Sequence, residues 1–240
     1  MKQLRILGGL ILVALIMNSC IIDEVFDCEH GRGDVEEEEF FVNEFTDVRL
    51  GVDADVFITQ GDDHHVRVLA QGNILDELDF RVRNRTLSIG RDRCLKDYRN
   101  IEVYLTMINI EHLDISGSGS IRGENIFQVR DLGLEISGSG NIDVALEGDD
   151  IEARVSGSGD LVLEGQADVL DYRVSGSGDL ESFDLQVRRA DINISGSGNA
   201  EVYVTDFLDV RISGSGDVFY KGDPDIDSRI SGSGRIIDAN

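Results

Sequence analysis

Apolar and charged residues alternate along much of this chain, in short runs that a glycine-rich segment interrupts. Residues 170–174 and 208–212 carry an apolar side chain at every second position, with charged or polar residues between them. A period of two is typical of a β-strand with one buried face. A second short run follows the interruption, as at residues 200–204. The pattern therefore predicts pairs of strands joined by a glycine-rich corner.

The interruption is the tetrapeptide Ser-Gly-Ser-Gly, which occurs seven times at intervals of 18 to 21 residues. The copies begin at Ser116, Ser137, Ser156, Ser175, Ser195, Ser213 and Ser231. A fixed period near 20 residues indicates a solenoid, in which each repeat packs only on its neighbours. The unit is short for a propeller blade and lacks the helix of a leucine-rich repeat. We therefore predict an all-β, single-domain parallel β-helix with coils of about 19 residues, right-handed by the general crossover rule.

The composition of the tetrapeptide is compatible with three other roles. A flexible linker has this composition, but linkers do not recur in register between alternating strands. A phosphate-binding loop needs a following helix and a lysine, and neither is present. Calcium is the third, because an acidic or amide residue follows most copies. These residues are Asn141, Asp160, Asp179, Asn199 and Asp217. Calcium-binding rolls repeat every nine residues, so a turn-forming role is favoured while calcium remains open.

The N-terminus has the features of an export signal. Lys2 and Arg5 precede an apolar run over residues 6–17, and Cys20 follows a small residue. The run is shorter than the roughly 20 residues of a transmembrane helix. We therefore predict a signal peptide over residues 1–19. The arrangement resembles bacterial lipoprotein signals, which implies that Cys20 is lipidated and becomes the first mature residue. An ordinary secretory signal with a free Cys20 is the alternative.

Two acids, Asp23 and Glu24, follow the cysteine and resemble the surface-export signal of Bacteroidetes lipoproteins. Residues 20–39 lack periodicity and are interpreted as an acidic tether, and residues 40–238 as the β-solenoid head. The less regular alternation before residue 116 predicts degenerate coils and an N-terminal cap. We expect an outer-membrane lipoprotein held to the membrane by its lipid, with display on the cell surface left open.

Charge and cysteine content narrow the choice of partners and compartment. The formal net charge is −25, and removal of residues 1–19, which contain Lys2 and Arg5 but no acid, makes it −27. So acidic a surface disfavours nucleic acid as a partner. Beyond Cys20 the chain has Cys28 and Cys94, and two cysteines in an oxidising compartment suggest a disulfide bond. It would tie the tether to an early coil.

Several segments together resemble a known family. They are a Phe-Ile-Thr-Gln-Gly turn at residues 57–61, a Leu-Ser-Ile strand at 87–89, an Ile-Glu-Val strand at 101–103 and the serial Ser-Gly-Ser-Gly coils. The combination resembles the putative auto-transporter adhesin, head GIN domain family over about residues 40–235. The resemblance implies a β-helix, a cell-envelope location and an adhesin-like role. It brings no catalytic residues to carry over.

Candidate chemistry is sparse. Residues Asp62, Asp63, His64 and His65 form the one cluster of metal-ligand types, but no further ligand is spaced to close a site. We expect no metal and no cofactor. The many serines occupy repeated corners, which favours a structural role over a nucleophilic one.

We predict a non-catalytic, adhesin-like binding module for an unidentified protein or glycan ligand. Two alternatives stay open: a β-helix enzyme that processes acidic polysaccharide, and a structural component of an envelope assembly. Residues 231–237 leave an apolar coil face without an evident cap. We therefore also expect this C-terminal coil to be covered by another chain, end to end, as in a homo-oligomer.

Overall fold

The computed structural model describes residues 28–240, so the predicted signal peptide and Cys20 lie outside the described residues. The N-terminal part contains strands β1 Glu29–His30, β2 Val35–Phe40, β3 Asp47–Leu50, β4 Asp55–Gln60 and β5 His65–Gln71, helix α1 Gly72–Leu75, and strands β6 Leu78–Arg83, β7 Thr86–Arg91, β8 Leu95–Lys96 and β9 Glu102–Met107. Within residues 28–240, no helix combines the length and hydropathy needed to cross a membrane.

The remaining elements are all strands. They are β10 His112–Gly117, β11 Ser120–Gly123, β12 Phe127–Gln128, β13 Asp131–Gly138, β14 Asn141–Glu147, β15 Asp150–Gly157, β16 Leu161–Gly176, β17 Leu180–Gly196, β18 Ala200–Gly214, β19 Val218–Lys221, β20 Asp225–Gly232 and β21 Ile236–Asp238. Each coil contributes one segment before its Ser-Gly corner and one after it. The segments before the corners stack in parallel as the leading sheet, and those after them as the trailing sheet. The predicted all-β solenoid with coils of about 19 residues is confirmed.

The core lies between the two sheets and consists of stacked columns of apolar side chains. One column of the leading sheet runs Leu113, Leu134, Ala153, Tyr172, Ile192, Val210, with consecutive members paired in register. Every member is buried. Because strand side chains alternate between faces, the charged residues of the same strands point to solvent. The alternation of apolar and charged residues in the sequence thus produces an apolar interior and a charged exterior.

The Ser-Gly corners are built on backbone conformations that favour glycine. The first glycine of every copy has a φ between +135° and +150°. A Cβ added at Gly176 would lie under 3.0 Å from the carbonyl oxygen of Gly157 in the preceding coil. That oxygen accepts a 2.8 Å hydrogen bond from the N–H of Ser177. The corner therefore needs glycine both for its dihedral angles and for the close approach of successive coils.

The N-terminal coils do not stack in the order of the sequence. In the trailing sheet β4 lies between β9 and β11, and in the leading sheet β3 lies between β7 and β10. The coil formed by β3 and β4 is therefore enclosed by two segments that come later in the chain. This corrects the simple succession of degenerate coils that the sequence predicts. The end of the solenoid is capped by antiparallel strands, β2 and β5 in one sheet and β6 in the other.

The described part of the predicted tether belongs to this cap. Strand β1 pairs in parallel with β8, and β2 pairs antiparallel with β5. Cys28 and Cys94 form a disulfide bond with a Cα–Cα distance of 4.5 Å. The four glutamates at residues 36–39 point to solvent while their backbone extends the sheet. From Cys28 onward the predicted tether of residues 20–39 is thus corrected to cap structure, because backbone pairing compensates for its lack of apolar side chains.

Candidate binding surface

The solvent face of the leading sheet carries an acidic column and a basic column side by side. Residues two apart on each strand supply them, and successive coils repeat them in register. The acidic column is Glu152, Asp171, Asp191, Asp209 and Asp227, and the basic column is Arg154, Arg173, Asn193, Arg211 and Arg229. The face therefore carries two adjacent stripes of opposite charge, and the neutral Asn193 interrupts the basic one.

Ion pairs join the two columns within and between coils. Arg173 Nη2 lies 2.7 Å from Asp171 Oδ2, and its Nη1 lies 3.3 Å from Glu152 Oε1. Arg211 makes equivalent contacts of 2.6 Å to Asp209 and 3.1 Å to Asp191. Such exposed pairs contribute little to stability, on the order of 0–1 kcal/mol each. Their main effect is to hold the arginine side chains across the acidic column.

A groove with a volume of about 710 Å³ begins where this face meets the loops entering β10, β13 and β15. Gly133 occupies the acidic column here and provides no side chain. The ring of His112, from the preceding coil, lies over it, so that a Cβ on Gly133 would come within 2.5 Å of His112 Cδ2. The ring of His112 thus takes the place of a side chain at Gly133, and Asp171 also lines the groove.

The charged residues that line the groove are mostly acidic. Five carboxylates border it, those of Glu111, Asp131, Asp150, Glu152 and Asp171. Arg130 is the one arginine in the lining, and it is already paired with Asp131 at 2.9 Å. The lining contains no tyrosine, tryptophan or phenylalanine. The groove thus has more carboxylates than arginines in its lining, and Glu111, Glu152 and Asp171 pair with arginines outside the lining, namely Arg85, Arg154 and Arg173.

Asp171 has one oxygen that is not satisfied. Its Oδ2 accepts from Arg173, whereas its Oδ1 is buried and has no hydrogen-bond partner. Burial raises the pKa of this carboxyl, Arg173 opposes the rise, and the neighbouring Asp191 adds to it. A buried acceptor without a donor is costly.

The Asp/Asn residues after the corners form a ladder along the solenoid. The side-chain oxygen of each residue accepts a hydrogen bond from the backbone N–H of the equivalent residue in the next coil, at 2.6 to 3.1 Å. The ladder runs Asn141, Asp160, Asp179, Asn199, Asp217 and ends at Arg235, whose guanidinium contacts Asp217 at 2.6 Å. These contacts hold Asp217 Oδ2 against a guanidinium and lower the pKa of its carboxyl.

This geometry accounts for the Asp/Asn column without an ion, because one oxygen of each residue is engaged by a backbone donor. In residues 28–240, no group of three or more His, Cys, Asp or Glu side chains is placed to hold a metal ion. The column favoured as turn-forming from the sequence is therefore an inter-coil ladder, which only the stacking reveals.

The structure does not assemble residues 62–65 into a site. The ring of His64 packs on Phe45, with centroids 5.1 Å apart, and its buried Nδ1 has no hydrogen-bond partner. His65 instead points to Glu39 of β2, with Nε2 3.5 Å from Oε1. The two histidines therefore face different surroundings at the base of the cap.

Sequence reasoning missed the groove. The one feature of the sequence that could have indicated the groove is Gly133, which lies between Leu132 and Leu134 at a position where the later strands carry a charged residue. A glycine in a strand often marks a close approach of other groups. What lies above it could not be predicted, because His112 comes from a different coil.

Solved structures share this architecture. A putative lipid-binding protein from Parabacteroides distasonis matches at 27% identity and a TM-score of 0.77, over 89% of this chain and 100% of its own. A putative adhesin from Bacteroides fragilis matches at 22% identity and a TM-score of 0.83, over 88% and 99%. A second P. distasonis protein, a putative adhesin, matches at 25% identity and a TM-score of 0.70, over 89% and 100%. A comparison with curated proteins finds no significant match.

The model of one protein family covers most of the chain, from residue 44 to residue 224. This span includes the N-terminal coils, the groove and six of the seven Ser-Gly corners. The resemblance expected from the sequence is confirmed, and the chain belongs to the putative auto-transporter adhesin, head GIN domain family.

Proposed function

We propose that this protein is a lipid-anchored, non-catalytic binding module of the cell envelope, and that its groove binds a positively charged segment of a partner protein. The family itself indicates a cell-surface or envelope protein with a binding role.

The observation that carries the proposal is the set of carboxylates that lines the groove, with Asp171 among them. Four further acidic residues, Glu111, Asp131, Asp150 and Glu152, line the groove with it. A lysine or arginine side chain supplies N–H donors and positive charge together, and charged hydrogen bonds are the stronger kind. The high acidity of the whole chain would also accelerate the approach of a basic partner.

A glycan is the less favoured ligand. Sugar-binding surfaces commonly present an aromatic platform, and the chain contains no tryptophan. The groove lining is also free of aromatic side chains. A neutral glycan could donate hydroxyl hydrogen bonds to these carboxylates, but it would bring no positive charge to them.

The binding proposal is tested on arrays of lysine- and arginine-rich, neutral and acidic peptides, with a glycan array beside them. The full chain should bind the basic peptides, and binding should weaken as salt is raised. Asp171→Asn should weaken binding roughly tenfold or more, because it removes a charged acceptor. Asp209→Asn is the matched control, since it makes the same change in the same column outside the groove. Equal effects of both variants, or binding to glycans alone, would refute the proposal.

The anchor is tested separately. The basic start, the short apolar run and Cys20 support lipidation. Cells grown with radiolabelled palmitate should label the protein, and Cys20→Ala should abolish the label. Protease treatment of intact cells then reports the membrane face: loss of the protein supports surface display, and survival until permeabilisation supports a periplasmic position.

A further inference from the structure

Strand β20 is an edge strand with an exposed apolar face. Among the described residues it pairs only with β18. Its residues Ile226 and Ile230 continue core columns whose preceding members, Leu208 and Ile212, are buried. Ile226 and Ile230 are nevertheless 41% and 44% exposed. The end of the last coil therefore exposes backbone N–H and C=O groups without hydrogen-bond partners as well as apolar side chains that continue the core.

The free backbone groups of β20 belong to alternate residues. Gly133, which shares its register position with Asp227, donates its N–H to the carbonyl of Glu111 in the preceding coil at 2.8 Å. In a parallel ladder the N–H and C=O of one residue point to the same neighbour, and those of the next residue point away. The N–H and C=O of Asp227 therefore hydrogen-bond to β18. The N–H and C=O groups that point away from β18 belong to residues 226, 228 and 230.

We propose that β20 pairs antiparallel with β20 of a second copy of this chain, with Ser228 opposite Ser228 on a two-fold axis. This register brings the outward N–H and C=O groups of both strands together as hydrogen-bonded pairs. It also places Ile226 opposite Ile230 of the second copy on the core side. On the solvent side it places Asp227 opposite Arg229 of the second copy.

The sequence of β20 is thus complementary to itself. Opposite charges and apolar pairs that face each other directly are the stabilising combinations in antiparallel sheets. A two-fold contact uses the same patch on both subunits, so each pairing occurs twice. Ser228 supports the same register, because it takes a position that Val210 fills in the preceding coil. Two facing hydroxyls on the axis can hydrogen-bond to each other.

The opposite end of the solenoid argues for this partner over a head-to-tail neighbour. There the leading sheet ends in β6 and the trailing sheet ends in β2, which carries four consecutive glutamates at residues 36–39, all exposed. Charge along an edge strand opposes pairing with another sheet. In a head-to-tail contact this acidic edge would meet β21, the last strand of the trailing sheet, which carries Asp238. The C-terminal edge therefore fits a second copy of itself, which closes the assembly as a dimer.

The test is native mass spectrometry of the full chain released from detergent micelles. The parent protein should give twice the mass of one chain. Asp227→Arg and Arg229→Asp should each abolish the dimer, because each places two like charges opposite one another twice. Both side chains are exposed, so each variant should keep the circular dichroism spectrum of the parent.

Combining the substitutions gives the decisive result. The double variant Asp227→Arg/Arg229→Asp restores opposite charges and should be dimeric. A mixture of the two single variants should form a heterodimer, because one strand then carries two arginines and the other two aspartates. Asp191→Arg, in the same column two coils earlier, is the matched control and should remain dimeric.

A monomeric parent would overturn the proposal. So would a dimer that survives both single substitutions, or single variants that fail to form the heterodimer when mixed. Asp171→Asn should leave the dimer unchanged, so that the groove and the coil end are tested independently.

Discussion

The side-chain oxygen of Asn141 accepts a 3.0 Å hydrogen bond from the backbone N–H of Asp160, at the equivalent position one coil further on. The same contact recurs along the solenoid. In Asp179 it is doubled, because Oδ1 accepts from both the backbone N–H and the side-chain amide of Asn199. Each of these residues therefore fastens one coil to the next at the point where the chain leaves the corner.

Replacing a residue of this ladder should destabilise the fold. Asp179→Ala leaves the N–H of Asn199 without its acceptor, and we expect a loss of about 1–3 kcal/mol in the free energy of unfolding. Asp179→Asn retains an acceptor oxygen and should lose less. Urea denaturation measures both. Asp223→Ala, at an exposed loop position, is the control, and an equal loss there would contradict a specific role for the ladder.

The corner needs glycine for its backbone dihedral angles and for the close approach of the preceding coil, and two of the glycines allow these requirements to be tested separately. Gly117 and Gly176 share a φ near +140°, but an added Cβ has no atom within 4 Å at Gly117 and collides with the preceding coil at Gly176. Gly117→Ala should cost only backbone strain, about 1–3 kcal/mol. Gly176→Ala should cost that strain and the collision, and lower the melting temperature further. Equal melting temperatures would show that close approach is unimportant.

The disulfide between Cys28 and Cys94 closes a segment of 66 residues around the N-terminal cap. We expect reduction, or the double variant Cys28→Ala/Cys94→Ala, to lower stability by about 2–4 kcal/mol. Denaturation with and without dithiothreitol measures the loss. The double variant is its own control, since the reductant should have no effect on it. A parent protein that is insensitive to reductant would argue against the bond.

Tyr172 should make the fold sensitive to alkali. Its burial, with Asp179 and Asp160 nearby, raises the pKa of the phenol above its usual value. The folded state then holds the proton more tightly than the unfolded chain does. Stability is thus fully present below about pH 10 and declines above it, by up to about 1.4 kcal/mol per pH unit.

Tyr172→Phe should reduce this decline, and urea denaturation at pH 9, 10 and 11 measures it. Some decline should remain, because burial raises the pKa of Tyr98 and a hydrogen bond to Glu102 raises that of Tyr104. A variant whose stability falls as steeply as that of the parent would assign the effect to other groups.

The repeating half of the molecule could be predicted from the sequence because each coil contacts only its neighbours. Alternation at residues 170–174 indicated which side chains are buried, and the position of Tyr172 in the core followed from it. In this half the local sequence pattern matches the tertiary structure, and the repeat period alone was therefore enough to predict the stacked coils.

The cap and the groove could not be predicted in the same way. The place of β3 between β7 and β10 depends on pairing between distant segments, and no periodicity encodes it. The β2 segment has a composition typical of a disordered tether, yet its backbone pairs with that of β5. The groove requires His112 over Gly133, a contact between coils. Each case involves a relation between segments that composition and spacing do not describe.

The enclosure of β3 and β4 by later segments has a consequence for how the protein folds. The coil they form emerges first during synthesis, yet it gains both neighbours only after residues 86–123 are available. Closing those distant contacts is slow, whereas adding each later coil to a formed neighbour is local. Closure of the cap should therefore limit the rate of folding, later coils should add towards the C-terminus, and opening should proceed in the reverse direction. In the monomeric Asp227→Arg variant, amide hydrogen exchange should accordingly be slowest in β3 and β4 and quicken coil by coil towards β20.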